Sequence, residues 1–405
     1  MNILHVVPYY EPAWSYGGVV RAVTGLARQQ VSSGHYVTVL TTDTAGPGDR
    51  LTSGRSTLDG VVVERLPNLS NLIRAKLNLS TPVSFRRVAP GLIEEYRIEL
   101  IHCHELRTLE NLRIGPIAQR FDLPLVLSPH GTLPYTIGRG LIKKSWDHLF
   151  GRKLLHRFDH VLALSEQEAS EVRVLWSRYG IPLGADQLTV APNGIHPGDF
   201  EKLPDRGESR CRWNLGAGPV AIFLGRLSRR KGLDLLIPAF ADLVSQSPAA
   251  RLLLAGPDDG VERQLRDLAV RCGINAHLVF TGMLNTDAKL AALRAADVFI
   301  LPAEGEGSSM AVLEAMACEL PLILTPGCHF PEVATAGAGL VVPREIACLA
   351  DALRTLSADS ERRLLMGQRA RKLVFGHYTW PRLVTRLDSA YQAALARRHS
   401  KSRFL

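Results

Sequence analysis

The sequence predicts an α/β protein built as two doubly wound parallel-sheet domains in tandem, and three observations carry that expectation. At 405 residues the chain is too long for one compact core. Short β-branched runs alternate with helix-length amphipathic segments, the pattern of parallel strands covered on both faces. The alternation is interrupted once, near 193–217, where "NGIHPGDFEKLPDRGES" concentrates Gly, Pro and charge, and then restarts. Domains are therefore expected at 1–198 and 199–378, with a last helix and basic tail over 379–405. With 46% hydrophobic and 21% charged residues, wholesale disorder is excluded.

Taken in order, strands are expected at Ile3–Val7, Tyr36–Thr41, Val61–Leu66, Leu100–Cys103, Leu125–Ser128, His160–Leu164 and Leu188–Ala191. Helices over 17–32, 107–121 and 165–177 lie between them. The second series has strands near 219–224, 251–255, 277–281, 297–301 and 321–325. Helices near 232–246, 261–272, 286–295 and 309–318 separate these. Residues 346–375 read as helical, and "HYTWPRLVTRLDSAYQAALARR" as a final amphipathic helix. The longest apolar runs, such as "VAIFL" before Gly225, are strand-sized, so no membrane span is expected. "NILHVV" at the start has no secretory-signal features. Six cysteines without a CxxC pair or metal-ligand spacing predict a reduced, cytoplasmic protein without structural zinc.

The net charge is +9, and most of it is local. Residues 139–157 hold Arg139, Lys143, Lys144, Arg152, Lys153 and Arg157 against Asp147, and the tail holds Arg397, Arg398, Lys401 and Arg403. Two patches on an otherwise balanced chain argue against a nucleic-acid surface. In "GRGLIKKSWDHLFGRKLLHRF" the bases accompany Leu141, Ile142, Trp146, Leu149, Phe150, Leu154 and Leu155. On a helix, 142, 146, 149 and 150 share a face. That suits either a core-facing helix with a solvated basic side or a segment lying on an anionic membrane.

Four stretches carry chemistry. In "DVFILPAEGEGSSMAVLEAMACELPLILT" a strand ends at Pro302 and a helix opens around Ser308 or Ser309, so its first amides attract anions. Glu306 precedes that helix and Glu314 lies about five residues inside it, roughly 7–8 Å along the axis. The pair could address hydroxyls on either side of a bound phosphate group, or could be ordinary solvated or capping glutamates. In "FLGRLSRRKGLDLLIPAF", Gly225 permits close backbone approach, and Arg226 and Lys231 flank the next turn. Two cations there could hold a diphosphate in place of a metal, with Arg229 and Arg230 as solvated neighbours. Gly17 and Gly18 open a helix after a long loop, without a GxGxxG fingerprint, which removes a dehydrogenase. His130 and Gly131 follow one strand, and His104 and Glu105 end another. Such histidines serve structure or bind hydroxyls, Glu105 and His104 being weaker acceptor-side candidates.

The set GG (17–18), HG (130–131), PNGI (192–195), GR….KG (225–232) and EGSSMAVLEA (306–315) resembles glycosyltransferase family 4 over essentially the whole chain. The resemblance implies a GT-B fold of two Rossmann-like domains facing across a cleft, with the last helix returning to the first domain. It implies retaining, metal-independent transfer from a nucleotide sugar, with no cofactor. It also assigns residues. Arg226 and Lys231 bind the donor diphosphate, Glu314 the ribose, and Glu306 the donor sugar. The amides of Ser309 and Met310, beside Ser308 and Gly225, face phosphate and sugar. His130 approaches the sugar, Gly17 and Gly18 line the cleft, and the "FTGML" loop with Met283 lies against the base. Ser308 and Ser309 depart from the common Phe-Gly, and Glu319 stands where Gly is common. A nucleotide-sugar epimerase and a non-catalytic sugar-nucleotide binder are the other readings. The resemblance further implies polysaccharide synthesis on saccharide or polyprenyl-linked acceptors, at the cytoplasmic face of a membrane.

Overall fold

A computed structural model describes residues 1–46, 48–70, 73, 79–135 and 140–402. It divides into two compact units, Met1–Gly194 with Trp380–Leu405, and Ile195–Thr379. The first crossing falls four residues before the expected 198/199 boundary. Ile195 already bonds within the second unit, its N–H donating to Tyr378 O at 2.9 Å.

The first unit contains β1 (Asn2–Val6), α1 (Gly18–Ser32), β2 (Tyr36–Thr42), β3 (Gly54–Leu58), β4 (Val61–Leu66) and α2 (Phe85–Glu95). It continues with β5 (Leu100–His104), α3 (Leu109–Arg120), β6 (Leu125–Ser128), α4 (Gly140–Trp146), β7 (His160–Ala163), α5 (Glu166–Arg178) and β8 (Leu188–Val190). Among the described residues the sheet order is β3-β4-β2-β1-β5-β6-β7-β8, parallel except for the β3–β4 pair. Side chains alternate along each strand, so the sheet has two different faces. Leu4, Val6, Ile101, Cys103 and Leu127 pack on one side with Val172, Leu175 and Trp176 of α5. Ile3, Leu100, Val126 and Leu162 face the other side and meet Leu26 of α1.

Trp380, Leu383, Leu387 and Tyr391 join this second core from the last helix, so the chain's final segment completes the unit that holds its first strand. α1 carries a glycine at Gly25 because the Trp380 indole occupies the place where a Cβ would stand.

The second unit is wholly parallel among its described strands. These are β9 (Val220–Leu224), β10 (Arg251–Ala255), β11 (Leu278–Gly282), β12 (Val298–Leu301), β13 (Leu322–Leu324) and β14 (Gly339–Val341). Their order is β11-β10-β9-β12-β13-β14. Its helices are α6 (Arg206–Arg212), α7 (Leu233–Gln246), α8 (Glu262–Arg271), α9 (Thr286–Ala295), α10 (Met310–Ala317), α11 (Ile346–Ala358) and α12 (Ser360–His377). The last helix, α13 (Trp380–Ser402), belongs to the first unit.

The expected elements are present within a residue or two at most ends. Others lacked a pattern to find them, among them α6, which lies inside the stretch read as a linker. β3 is a half-exposed polar edge strand, α2 contains Pro90, and β14 has three residues. In each unit the chain reverses direction across the sheet at one point, after β1 and β5 in the first and after β9 and β12 in the second. Loops diverge there and leave room for a ligand at the strand ends.

Candidate functional site

The switch point of the second unit collects the charged residues singled out in the sequence. Gly225 follows β9 at a φ of 148° that favours glycine, and the chain runs through Arg226 to a single turn at Arg229–Lys231. The loop after β12 meets it. Lys231 Nζ lies 2.5 Å from Glu306 Oε1, with both side chains largely buried. Arg230 is not a solvated neighbour: its guanidinium donates to Gly305 O at 2.6 Å, and Glu304 N–H donates to Arg230 O at 2.9 Å. These bonds fasten the two loops to each other. Gly232, at φ 70°, packs so closely that a Cβ would collide with Pro302 O. Arg226 stays half exposed, with its nearest carboxylate, Asp259, at 3.8 Å. That exposure leaves its guanidinium open to an incoming anion.

α10 begins beside this pair. Ser309 is its N-cap without a side-chain cap bond, and Ser308 and Ser309 are both buried. The first bond inside the helix comes from Val312 N–H to Ser309 O, so the amides of Met310 and Ala311 precede the intrahelical ladder. Amides, macrodipole and Lys231 meet where the loops after β9 and β12 join, with Arg226 exposed on the first of these loops, an arrangement suited to a diphosphate.

Glu314 sits in the body of α10, buried and ion-paired with Lys289 of α9, which is also buried. Sequence reasoning missed Lys289, whose partner is on another helix 25 residues away. The Glu314 carboxylate is thereby held in place, charge-balanced, rather than solvated. Met283 stands on the loop after β11 and is 45% exposed, free of the core.

In the first unit, Gly17 opens α1 at φ 83°, and nothing lies within 4 Å of where a Cβ of Gly18 would point. His130 follows β6 in the left-handed region, φ 56°. The next amide, Gly131 N–H, donates to the Glu168 carboxylate at 2.5 Å, and Leu164 N–H donates to the same carboxylate at 2.7 Å. Burial pushes Glu168 up to about 7 while those two amides pull it down. No pattern in the sequence marks this anchor of the His130 turn.

His104 and Glu105, the acceptor-side candidates, are turned inward. Glu105 accepts from the Tyr9 hydroxyl at 2.6 Å. His104 is buried between His5 and His130 and is 2.9 Å from each. Burial drives His5 and His130 down to about 4 and His102 and His104 well below the usual range, so the rings are neutral.

The basic amphipathic segment keeps its helical form only as far as Trp146, then widens into a π turn over Asp147–Gly151 before Arg152–Leu155. Asp147 is buried and accepts from Arg107 at 2.7 Å and Tyr135 at 2.7 Å, which pins the turn. Leu154 and Leu155 enter the core, whereas Leu141, Ile142, Leu149 and Phe150 are exposed beside Lys144, Arg152 and Lys153. Arg157 packs over Gly115 instead of joining the patch, and Arg139 lies outside the described residues. In the tail, Arg397 and Arg398 pair with Asp186 and Asp122, and Arg403 is outside the described residues. Among the described residues no helix is long and apolar enough to cross a membrane.

Family models match both units. "Glycosyltransferase Family 4" matches residues 16–199 and "Glycosyl transferases group 1" residues 206–373. A GDP-mannose-dependent monoacylated alpha-(1-6)-phosphatidylinositol monomannoside mannosyltransferase from Corynebacterium glutamicum is 32% identical over 78% of this chain and 81% of its own length. The corresponding phosphatidylinositol monomannoside mannosyltransferase from Mycobacterium tuberculosis is 34% identical, and this chain spans only 57% of that relative's length. Among solved structures, a sucrose-phosphate synthase from Thermosynechococcus elongatus superposes with a TM-score of 0.80 at 21% identity, covering 98% of this chain and 99% of that one. Its likeness is in the fold, two Rossmann-like parallel-sheet units of the GT-B class. Sequence match and sheet topology agree, and the chain belongs to the group 1 glycosyltransferases of family 4.

Proposed function

We propose that this enzyme transfers a sugar from a nucleoside-diphosphate donor to a hydroxyl of a lipid-linked saccharide, retaining the anomeric configuration and using no metal ion. The observation that carries it is the Lys231–Glu306 pair just before the amide start of α10, with Arg226 half exposed on the same loop as Lys231. Two side-chain cations and the helix start supply what a divalent ion otherwise gives a departing diphosphate. Glu314, held by Lys289, is assigned to the ribose, and Glu306 to hydroxyls of the donor sugar. His130 addresses a sugar hydroxyl as a neutral ring. In the proposed step the bond from the anomeric carbon to the phosphate oxygen breaks as the acceptor oxygen bonds on the same face. The acceptor's hydroxyl proton passes to the departing phosphate oxygen.

The relatives' names support GDP-mannose as donor and a phosphatidylinositol-type lipid as acceptor. The exposed Leu141, Ile142, Leu149 and Phe150 beside Lys144, Arg152 and Lys153 fit a surface that rests on an anionic leaflet. Each base near such a surface is worth about 1 kcal/mol. All six cysteines are unpaired, which suits the cytoplasmic face.

The test is release of nucleoside diphosphate from GDP-, UDP- and ADP-sugars, with and without a lipid-linked acceptor and with and without EDTA. Acceptor-dependent release from GDP-mannose that EDTA leaves unchanged is expected. Conversion of the donor with no acceptor would indicate an epimerase, and a strict divalent-ion requirement would overturn the metal-free reading. On vesicles, the protein should sediment with anionic but not neutral lipid. Changing Lys143, Lys144, Arg152 and Lys153 to Gln should release it without altering nucleotide binding.

A further inference from the structure

The face of the first unit's sheet that packs Ile3, Leu100 and Val126 against α1 and α13 also carries a row of buried histidines. His5 on β1 is the register partner of His102 on β5, and His104 lies two residues on, so the period of two puts all three on the face covered by α1 and α13. Gln30 of α1 has its side-chain oxygen 2.7 Å from His5 Nε2 and its nitrogen 2.9 Å from the Tyr391 hydroxyl. His5 Nδ1 is 2.9 Å from His104 Nε2, and His104 Nδ1 is 2.9 Å from His130 Nε2. A branch runs from the Tyr391 hydroxyl to His102 Nδ1 at 2.8 Å and from His102 Nε2 to Ser128 Oγ at 2.8 Å.

We propose that the Gln30 carboxamide fixes the tautomer of this row, so that His130 presents a bare Nδ1, a hydrogen-bond acceptor, to a sugar hydroxyl. The choice of a sugar rests on the function proposed above. A neutral imidazole has one N–H, so it donates at one nitrogen and accepts at the other. With the Gln30 oxygen facing His5, His5 donates from Nε2 and its Nδ1 accepts from His104 Nε2–H. His104 Nδ1 then accepts from His130 Nε2–H, which leaves His130 Nδ1 without a proton. The Gln30 nitrogen donates to Tyr391, which in turn donates to His102.

Turning the amide over reverses every bond and ends the row in an Nδ1–H. His130 Nδ1 is buried with no hydrogen-bond partner among the described residues. An orphaned N–H is rarer in native structures than an underused acceptor, so the empty end of the row favours the same polarity as the Gln30 end. Burial keeps the rings neutral, without which the row could not hold one sense. Nitrogens of His5, His102 and His104 also come within 4.8 Å of one another, a spacing that could hold a metal. All six of those nitrogens are already engaged in the bonds just described, which favours the hydrogen-bonded row. Gln30 is thus a positioning residue acting through His5 and His104.

The test reads tautomers directly, by two-bond ¹⁵N–¹H correlation spectra of the full chain labelled with ¹⁵N-histidine, near pH 7.5 and without substrate. His130 is assigned from the spectrum of His130→Asn. His5, His104 and His130 should each be protonated at Nε2 and bare at Nδ1. A protonated Nδ1 on His130 in the wild type overturns the proposal, whether or not any variant folds. Gln30→Met should convert His130 to a mixture of tautomers and lower the transfer rate about tenfold, with nucleoside-diphosphate affinity unchanged. An unchanged His130 spectrum in that variant also overturns it. So does stoichiometric binding of zinc that moves the His5, His102 and His104 nitrogens together. Failure of every donor in the transfer assay would remove the proposed function yet leave the tautomer pattern to be read.

Discussion

Lys231 and Glu306 neutralise each other at 2.5 Å, and that fact shapes what each substitution should do. Lys231→Ala removes a cation and leaves Glu306 unpaired beside the proposed diphosphate position. Turnover at saturating donor should fall about 100-fold, on the order of 3 kcal/mol. Arg226→Ala, at an exposed position, should cost a similar factor with no loss of stability. Undiminished turnover in both variants would rule out this diphosphate site. Glu306→Gln should lower turnover while nucleoside-diphosphate affinity holds or tightens, because a repelling charge has gone; calorimetry showing a large affinity loss would reverse the assignment. Glu314→Gln differs, because it leaves Lys289 as a buried cation without its counter-charge. Destabilisation of about 3–5 kcal/mol should accompany weaker nucleotide binding. Adding Lys289→Met should restore most of the stability but not the binding. If the double variant also regains affinity, Glu314 has no ribose contact. The sequence exposed Glu306 and Glu314 through their spacing along one strand–helix unit. Lys289 had no such marker, because a partner is visible in sequence only when it shares an element.

At the scale of single elements, the turn after α10 explains one departure from the family pattern. Glu319 sits at φ 63°, and its carbonyl faces Gly367 so closely that a Cβ there would collide with it. Glycine at 319 would relieve such a backbone, and the substitution gives up only a 3.6 Å pairing with Arg371 at a largely exposed site. Glu319→Gly should therefore stabilise the protein by about 0.5–1 kcal/mol, read as a higher denaturation midpoint; a lower one would show that the Arg371 pairing matters more than the backbone.

The strands β1, β5, β6 and β7 set a pH dependence. His5, His130 and His160 are held near 4, and His102 and His104 well below their ordinary value, all chiefly by burial. A histidine lowered in the fold stabilises above its unfolded value of 6.5 and loses that contribution as pH falls toward 4. At pH 5 the loss is about 2 kcal/mol for each of His5, His130 and His160. Glu168, raised to about 7, opposes this, since its contribution is complete below 4.5 and vanishes as pH rises through 7. Five rings outweigh one carboxylate. Scanning calorimetry should show the first unit melting at a lower temperature at pH 5 than at pH 7. An unchanged or higher midpoint would mean the rings are not buried neutral.

For the whole molecule, the last helix decides whether the first unit holds together. Trp380, Leu383, Leu387 and Tyr391 complete the core around Ile3, Leu100, Val126 and Leu162, and Tyr391 ends the buried row at Gln30 and His102. Each such side chain contributes about 1.5–3 kcal/mol by burial. Truncation after Thr379 should abolish the first unit's cooperative melting and expose it to protease, while the second unit keeps its own transition. Protection of both units after truncation would show that α13 is dispensable. The sequence by itself determined the two-domain α/β plan, nearly every strand, and the charged set at residues 225–232 and 306–314. Those signals are local: strand and helix periodicity, glycines at turns, and charges within one strand–loop–helix unit. Only the tertiary structure decided that His104 is buried between His5 and His130, that Glu168 anchors the Gly131 turn, and that Gln30 and Tyr391 share one polar row. Gln30 and Tyr391 are 361 positions apart. Their meeting depends on how sheet faces and helices pack, and no periodicity along the chain encodes which buried polar group satisfies another.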